Sequence, residues 1–506
     1  MHRAFWASTM NAVIPNARSI ESISPFRRSP EVVNATEAVL KGSPPEWLRG
    51  ELVRTCPAVF EGQRWHAGHW FDGLCMLYAF RIGASSVSFQ SRLLESEAAS
   101  EISGGPTRLG SFGTSTGRSW WQRLLQPVQR ITDNTNVNIV KMGDDLVALT
   151  EGDKQQRIDP QSLRVRGLVS YERDELAGAV ASAHPHFDFE RKRVVSYATK
   201  FGLNGVISIY EHGGNERQRK VVGSWQTSRV PYLHSFGLTP SHAILVAHPF
   251  VAEPRNMLWS NRGYIDHFRW LPQDGTRLVV IDRRTGQLAE YETEPMFVFH
   301  TVNAFEREGE TVLDVLSYPS ADIVDELRVP RMVERLPDLT PSLVRLVMRP
   351  GKRRAELETL AKSGFEFPST NYRRVNGKGY RYAWGAADGH RAEGSYTSSI
   401  VKFDLLKGKT QELSDGVRIY GEPIFVARPG GIDEDDGVLL SVGGPQRTDT
   451  SALAIIDART MELVASAEVP SAIPLGFHGS FVRSGTAGLT GESGEPGEPL
   501  RGRAAQ

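Results

Sequence analysis

The 506-residue chain carries 59 basic and 59 acidic side chains, so its formal net charge is zero. Nucleic-acid binders depend on many Lys and Arg contacts to phosphate, and this balance excludes the electrostatic footprint of that class. With 40% hydrophobic residues, most of the chain can bury a core. Cys56 and Cys75 are the only cysteines, too few for a disulfide framework or a Cys-rich zinc site, and they favour a reducing, cytoplasmic location.

The two ends of the chain differ from the middle. Residues 1–30 are interpreted as a flexible N-terminal segment without the apolar centre of a secretory signal. An organelle transit peptide is the alternative, because no acidic residue precedes Glu21. Residues 485–506 are rich in Gly, Pro and Glu and predict a disordered tail. Residues 31–484 are expected to form one domain, and no stretch approaches the roughly 20 apolar residues of a membrane span.

Short β-type runs separated by turn residues recur along the chain. One pattern is an apolar alternation, then Asp, a turn and a returning strand, as a β-hairpin requires. It occurs in RLVVIDRRTGQLAEYET, SIVKFDLLKGKTQEL and ALAIIDARTMELVASAEV, with a looser copy in TEGDKQQRIDPQSLRV. Hairpins repeated over hundreds of residues predict an all-β fold, a single large β-propeller. Helices should be few, the best candidates being RSWWQRLLQPVQRI and part of IVDELRVPRMVERLPDLTPSLVRL.

Four of the thirteen histidines lie in or beside apolar, aromatic runs: His184, His234, His300 and His478. Any one alone could be a satisfied core histidine, because a buried imidazole needs a partner. Their separations of 50, 66 and 178 residues resemble one, one and about three blades of a propeller, whose inner strands converge on the axis. The pattern predicts a metal centre of four imidazoles, a donor set that suits Fe, Zn, Cu and Ni alike.

Three glutamates lie in the apolar segments LVALTEG, GFEFPSTNY and YGEPIFVA. Metal-bound histidines usually donate their other ring N–H to a carboxylate or carbonyl, which fixes the tautomer. The expected pairs are Glu151 with His234, Glu366 with His300 and Glu422 with His478. His184 is left to water or a backbone group. Each glutamate could alternatively be an ordinary salt-bridged strand residue.

These and further segments resemble the carotenoid cleavage oxygenases, a family that includes the retinal-pigment-epithelium isomerohydrolase and the stilbene-cleaving enzymes. The resemblance runs from about Pro45 to Val482, and Asp72 and Gly73 complete the family's FDG signature. Its motifs are PPEWLRGELVRTCPAVFEG, HWFDGLCMLYAFRI, NTNVNIVKMGDDLVALTEG, AHPHFD, HSFGLT, FVFHTVNAFEREGETVLDV, FEFPSTNYRRVNGKGYRYAWG, EPIFVARPGGIDEDDGVLLSV and GFHGSFV. One departure is TCPAVFEG, where the family more often has an Asn-Gly-Pro run.

The resemblance implies a seven-bladed β-propeller with one Fe(II) per chain on its axis, capped by a dome of loops and short helices. It assigns the iron to the four histidines and their outer hydrogen bonds to the three glutamates. The implied activity is that of a non-haem Fe(II) dioxygenase, which splits a C=C bond of a carotenoid or apocarotenoid with O₂ into two carbonyl products. No catalytic residue beyond the metal centre is implied.

The resemblance also suggests which residues surround the substrate. Thr135 and Thr150 resemble threonines that line the iron's open face in relatives. The aromatic residues expected along a tunnel, where π faces stabilise cationic character, are Phe236, Phe305, Trp384 and Phe477. Stilbene cleavers tend to carry a lysine where this chain has Thr150, so an apolar polyene is favoured. Retinal-forming central cleavage is the first specific expectation.

A carotenoid resides in lipid, so peripheral membrane contact is expected. The candidate residues lie in SWWQRLLQPVQR: Trp120, Trp121, Leu124, Leu125 and Val128. An exposed amphipathic helix of this kind can lie at the headgroup boundary, and its position resembles a membrane-facing insertion of the family. The alternative is a helix packed on the dome.

Other functions remain open at this point. A propeller that serves as a binding scaffold would hold its histidines as packing residues and bind no metal. A zinc hydrolase would need three ligands, a water and a nearby carboxylate base. Within the family, stilbene cleavage or retinoid isomerisation and ester cleavage without O₂ are the alternatives. No protein partner is expected.

Overall fold

The computed structural model describes residues 19–28, 32–337, 339–362, 364–387, 399–445 and 449–484. Within these ranges, seven sheets of four to six strands and one sheet of three strands are present. The seven larger sheets are the blades of a β-propeller, so the all-β fold and the number of blades are as predicted. The predicted tail, residues 485–506, lies outside the described residues.

The blades are numbered here in the order in which the chain builds them. Blade 1 contains Val32–Glu37, Gly50–Val59, Leu74–Ile82, Val87–Leu93 and Gly479–Arg483; blade 2 contains Asn138–Met142, Asp145–Leu149, Gln156–Ile158 and Val165–Leu168; blade 3 contains Val180–Ala181, His186–Asp188, Arg193–Phe201, Gly205–His212 and Lys220–Thr227; blade 4 contains Gly237–Leu238, His242–Ala247, Thr276–Asp282 and Leu288–Thr293. Blade 5 contains Phe297–Arg307, Glu310–Tyr318, Ser342–Met348 and Glu356–Ala361; blade 6 contains Glu366–Ser369, Tyr382–Ala387, Ser399–Asp404 and Lys409–Leu413; blade 7 contains Val39–Gly42, Arg418–Tyr420, Ile424–Ala427, Gly437–Pro445, Ser451–Asp457 and Leu463–Val469.

Two seams join the ends of the chain into the ring. The C-terminal strand Gly479–Arg483 pairs antiparallel with Gly50–Val59 in blade 1. Near the N-terminus, Val39–Gly42 pairs with Leu463–Val469 in blade 7. At the first seam a Cβ on Gly479 would lie 2.4 Å from the carbonyl oxygen of Val53, so only glycine allows this close approach. Strand exchange of this kind protects the edges of the first and last blades.

The repeated Asp marks the outer hairpin of four blades, as predicted. The Asp282 carboxylate accepts the backbone N–H groups of Arg284 and Thr285 at 2.9 and 2.7 Å, and this turn separates Thr276–Asp282 from Leu288–Thr293. The equivalent carboxylates make the same turn in blades 2, 6 and 7: Asp159, Asp404 and Asp457. Asp is favoured there because its side chain satisfies turn donors that no strand can reach.

Helices are short, and most of them lie in segments inserted between strands. The α-helices are Glu97–Gly104, Trp120–Leu125, Asp322–Glu326, Val329–Glu334 and Tyr372–Val375. The 3₁₀-helices are Ile20–Ser22, Ser24–Phe26, Trp70–Asp72, Pro254–Met257, Tyr264–His267 and Pro272–Asp274. No helix in the described part of the chain has the length and apolar composition needed to cross a bilayer.

The inserted segments 94–136, 248–275 and 319–337 pack against one another and form the dome. Backbone hydrogen bonds join Thr116 to Asn261 and Ile265 to Phe112, and the Arg328 guanidinium pairs with the Asp266 carboxylate. The three-stranded sheet, Val230–Pro231, Phe250–Ala252 and Arg269–Trp270, belongs to this region.

Packing begins earlier in the chain than the sequence indicated. Of the segment 1–30 that the sequence predicts to be flexible, the structure describes residues 19–28, and there Ile20 and Phe26 are fully buried in the largest core cluster. Phe26 packs edge-on against Phe60 and Trp70, with ring centroids 6.2 and 5.9 Å apart. Two isolated apolar residues carry no periodicity, so the sequence gives little warning of this contact.

The buried Asp72 of the FDG signature fastens the dome to blade 1. One carboxylate oxygen accepts the N–H of Phe112 at 2.7 Å; the other accepts the N–H of Gly113 at 2.9 Å and the hydroxyl of Thr114 at 2.5 Å. Burial raises the pKa of Asp72 to about 6, against the opposing effect of these three donors.

We expect Asp72→Asn to destabilise the fold and Asp282→Asn to be nearly neutral. In Asp72→Asn, the amide NH₂ must replace an oxygen that accepts hydrogen bonds from buried donors. This lowers the free energy of unfolding by roughly 2–3 kcal/mol. In the second variant, one oxygen accepts both turn N–H groups, so the amide oxygen can replace it and the change should stay below about 0.5 kcal/mol. Denaturant unfolding of both variants measures the difference, and equal losses would contradict the role given to Asp72.

Candidate metal centre

Four imidazoles from four blades meet on the propeller axis. The ligand atoms of His184, His234, His300 and His478 all lie within 4.8 Å of one another. Nε2 of His184 is 2.9 Å from Nε2 of His234, and Nε2 of His300 is 3.2 Å from Nε2 of His478. His184 precedes an inner strand of blade 3, His234 precedes blade 4, His300 lies in blade 5 and His478 precedes the last strand of blade 1. The structure therefore brings together four histidines that are up to 294 residues apart in the sequence.

Three glutamates from the remaining blades hydrogen-bond to three of these histidines. Glu151 follows a strand of blade 2, Glu366 begins blade 6 and Glu422 lies between two strands of blade 7. The carboxylate–Nδ1 distances are 2.5 Å for Glu151 with His234, 2.6 Å for Glu366 with His300 and 2.7 Å for Glu422 with His478. Each of the seven blades thus contributes one residue to the centre, in the pairs that the sequence predicts.

The tautomers that follow from these bonds fit a bound cation. Nδ1 must carry the proton that is donated to the carboxylate, so Nε2 carries a lone pair. The Nε2 atoms of His300 and His478 are then two lone pairs facing each other at 3.2 Å. Two acceptors at this separation repel unless a cation lies between them. The donor set therefore fits a metal ion held by neutral nitrogen ligands.

Burial lowers the pKa of three of these imidazoles and so favours their neutral form. It lowers the pKa of His478 to about 4, although Glu422 opposes the shift. It also lowers the pKa of His234, against Glu151, and it lowers that of His184 far below its ordinary value, with help from the neighbouring imidazoles. Neutral ligands need no deprotonation before a metal binds at pH 7.

His184 differs from the other three histidines. No carboxylate hydrogen-bonds to its ring in the part of the chain that the structure describes, and it is the one member of the set that is not fully buried. Its backbone N–H donates to the hydroxyl of Ser182 at 3.0 Å, and that hydroxyl donates to the carbonyl of His234 at 3.1 Å. The backbone of His184 is therefore connected to that of His234 through the Ser182 hydroxyl.

Each glutamate has a second partner, which sequence reasoning missed. The Tyr232 hydroxyl donates to Glu151 at 2.9 Å and the Tyr318 hydroxyl donates to Glu366 at 2.7 Å. Glu422 instead faces the guanidinium of Arg54 at 3.2 Å. Tyr232 stands two residues before His234, a spacing that could have indicated it. Tyr318 and Arg54 reach the centre through strand pairing, which no local motif records.

A cavity lies beside the histidines, and its walls are almost wholly apolar. Its aromatic and aliphatic lining consists of Trp70, Phe71, Val137, Phe299, Tyr318, Leu327, Leu339, Phe367 and Phe477. Glu366 and three of the histidines complete the wall. Phe477 is a predicted tunnel residue, and its ring packs 5.1 Å from that of Phe71.

The other predicted substrate residues do not line this cavity. Phe236 packs on His186 with centroids 4.7 Å apart, Phe305 contacts Tyr380, and Trp384 stacks on Phe425 at 4.8 Å. Their rings are committed to packing in and between blades. Thr135 is fully buried and donates its hydroxyl to Gln156 at 2.9 Å, and Thr150 is buried beside Glu151.

The predicted membrane-contact residues are exposed. The helix Trp120–Leu125 begins with a capping box of Ser119 and Gln122, and none of its residues is buried. Exposed apolar side chains here and in the adjacent loop form one apolar patch: Trp120, Trp121, Leu124, Leu125, Val128, Leu258 and Trp259. The backbone N–H of Trp259 donates to the carbonyl of Pro127 at 2.8 Å, which joins the two segments.

Fold and site together define a class of protein: a seven-bladed β-propeller with four histidines on its axis that fit a metal ion. The sequence profile of the retinal pigment epithelial membrane protein family matches residues 26–483, and this chain belongs to that family. It is 30% identical to the apocarotenoid-15,15'-oxygenase of Synechocystis, over 88% of this chain and 92% of the relative. It is 28% identical to the β,β-carotene 15,15'-dioxygenase of Mus musculus, over 89% of this chain and 90% of the relative.

Solved structures agree with this assignment. Cobalt-substituted Synechocystis apocarotenoid oxygenase superposes with a TM-score of 0.79 at 28% identity, covering 91% of this chain and 98% of that one. A variant of the same enzyme gives a TM-score of 0.78 at 27% identity with the same coverage.

The glutamates offer a matched pair of substitutions at the metal centre. Glu366 uses one oxygen for His300 and the other for Tyr318, whereas a single oxygen of Glu151 accepts from both His234 and Tyr232. Glu366→Gln must therefore present NH₂ to a donor, but Glu151→Gln can keep both bonds. Both variants lose one negative charge, which weakens Co(II) binding in each. We expect Glu366→Gln to weaken it roughly 10-fold further than Glu151→Gln, because a hydrogen bond is also lost.

Absorption titration with Co(II) measures both affinities, and thermal unfolding of each variant controls for folding. Equal losses in the two variants would show that carboxylate charge matters at this centre and hydrogen-bond geometry does not.

Proposed function

We propose that this protein is a non-haem Fe(II) oxygenase that splits a C=C bond of an apolar polyene, a carotenoid or apocarotenoid, with O₂ to give two carbonyl products. The observation that carries the proposal is the juxtaposition of a neutral four-imidazole centre with an almost wholly apolar cavity. Neutral ligands place no negative charge directly on a divalent ion, and the apolar walls suit a hydrocarbon.

The chain's own residues bind, orient and shield. Fe(II) held by the four histidines would supply the binding and activation of O₂. The aromatic walls, among them Trp70, Phe71, Phe299 and Phe477, hold the polyene and exclude water. Their π faces stabilise positive charge that develops along a conjugated chain. The reaction needs no general base, and Glu366 and Tyr318, which reach the cavity wall, are already engaged with His300 and with each other.

Central cleavage of a carotenoid or apocarotenoid is the first candidate reaction. The names of two relatives, the apocarotenoid-15,15'-oxygenase and the β,β-carotene 15,15'-dioxygenase, support it. The buried Thr150 supplies no cation that could anchor a phenol, and this favours a hydrocarbon over a stilbene.

Anaerobic purification, metal analysis and incubation with Fe(II), O₂ and a panel of carotenoids, apocarotenals and stilbenes test the proposal. We expect about one iron per chain and paired carbonyl products, both of which carry ¹⁸O when ¹⁸O₂ is used. His300→Ala should bind less iron and form no product. His248→Ala is the control, since His248 is buried in the dome and its ring packs 4.6 Å from that of Phe297.

Iron-free protein that leaves every polyene unchanged would support a binding scaffold instead. Products without ¹⁸O would point to an isomerising or ester-cleaving member of the family.

We also propose that a cytoplasmic pool of this protein contacts a membrane through the apolar patch, because its substrate partitions into lipid. Leu125 is 84% exposed, and its neighbours in the patch extend the apolar surface. A patch of this kind inserts shallowly at the headgroup boundary.

Leu125→Ser should lower binding to phosphatidylcholine vesicles roughly tenfold, because burying one Leu is worth about 1.5–3 kcal/mol. Leu406→Ser is the matched control, since Leu406 is exposed on the turn between Ser399–Asp404 and Lys409–Leu413 in blade 6. Vesicle flotation measures the difference, and equal binding by the two variants would exclude the patch as the contact.

A further inference from the structure

A buried arginine stands behind one of the three glutamates. Arg54 lies in Gly50–Val59 of blade 1 and is 1% exposed. Its guanidinium is 3.2 Å from a carboxylate oxygen of Glu422 and donates to the Glu422 carbonyl at 3.1 Å. A second nitrogen donates to the carbonyl of Phe477 at 2.6 Å. Arg54 therefore holds both Glu422 and the residue that precedes His478.

The other two glutamates have neutral partners. Tyrosine hydroxyls donate to Glu151 and Glu366, at 2.9 and 2.7 Å. Among the groups that hydrogen-bond to the histidines or to their glutamates, Arg54 is the only fixed positive charge in the described residues. A guanidinium is a cation over the whole pH range in which proteins are ordinarily folded.

The formal charge of the centre follows from these contacts. Three carboxylates contribute three negative charges, the four neutral imidazoles contribute none, and Arg54 contributes one positive charge. The protein groups therefore sum to minus two. A divalent ion brings the buried centre to zero, whereas a trivalent ion leaves it with an excess positive charge. An uncompensated charge is costly in a buried site, so the two oxidation states of a bound ion are not equally favoured.

We propose that Arg54 sets the charge of the metal centre and thereby favours bound iron in the ferrous state. The inference rests on the proposed iron site. It gives Arg54 two separable tasks: its charge selects the oxidation state, and its two donor nitrogens position Glu422 and the segment before His478. The tyrosines share the positioning task and not the electrostatic one.

The midpoint potential of the bound iron separates these tasks. Arg54→Met removes the charge at similar length, so the ferrous centre carries minus one and the ferric centre zero. We expect the ratio of ferric to ferrous affinity to rise roughly tenfold, which lowers the midpoint potential by about 59 mV for a one-electron couple. Arg54→Lys keeps the charge but has no planar fork, and it should restore most of the potential while the melting temperature stays reduced.

A set of charge-changing variants, two single and one double, tests the proposal even if Arg54→Met binds iron poorly. Glu422→Gln removes one negative charge and should raise the potential. The double variant Arg54→Met with Glu422→Gln returns the protein groups to minus two, so its potential should differ from that of the wild type by less than half of either single shift. Arg345→Met, which removes a half-buried arginine paired with Asp314 in blade 5, should leave the potential unchanged.

Anaerobic redox titration measures all of these potentials, and Co(II) binding and thermal unfolding report on the intactness of each variant. Arg54→Met with a wild-type potential, or single variants that shift the potential in the same direction, would overturn the proposal and leave Arg54 a structural residue. Wild-type protein that binds no iron would instead remove the proposed function, a result that Co(II) titration distinguishes.

Discussion

The hydrogen bonds from imidazole Nδ1 to buried carboxylates are the constraint on which the rest of the structure depends. They determine the tautomer of His234, His300 and His478 and turn a lone pair from each ring towards the axis. A carboxylate away from water is costly unless its lone pairs are satisfied, and this explains why every one of the three has a second donor. Two tyrosines and an arginine are therefore as much a part of the centre as its ligands.

A site with one residue from each blade exists only when the ring is complete. His478 lies at the start of the C-terminal strand, and Arg54 lies on the strand that pairs with it, so the closing seam of blade 1 passes through the metal centre. The N–H of Thr55 and the carbonyl of His478 are joined at this seam at 3.2 Å. The four histidines can therefore reach their positions only when the ring of blades is closed. A metal that binds this closed state and not the open one stabilises the propeller.

The sequence predicts what local chemistry determines. The Asp of each outer hairpin was readable because its carboxylate serves turn donors two and three residues away, as Asp282 does. Histidines and glutamates in apolar runs were readable because such groups need partners. The lining of the cavity could not be predicted in this way, because aromatic residues close to the histidines in sequence lie in different places. Phe477 lines the cavity beside His478, whereas Phe236, two residues after His234, packs on His186. The roles of Arg54 and Tyr318 could not be predicted from the sequence, because strand register places them at the site and that register depends on the whole fold.

The titratable side chains that reach the cavity wall are already used by the metal centre, and this limits how the cavity can select a substrate. His234, His300, His478, Tyr318 and Glu366 all reach the cavity wall, and each is already hydrogen-bonded within the metal centre. None of these titratable side chains is left to recognise a polar group on a substrate. The choice of double bond must then come from the shape of the apolar walls, which discriminate by contact and by depth of insertion. Apolar contacts separate substrates weakly per methylene group, by roughly 1–3 kcal/mol, so a long polyene held along its length is the kind of substrate such a cavity can position well.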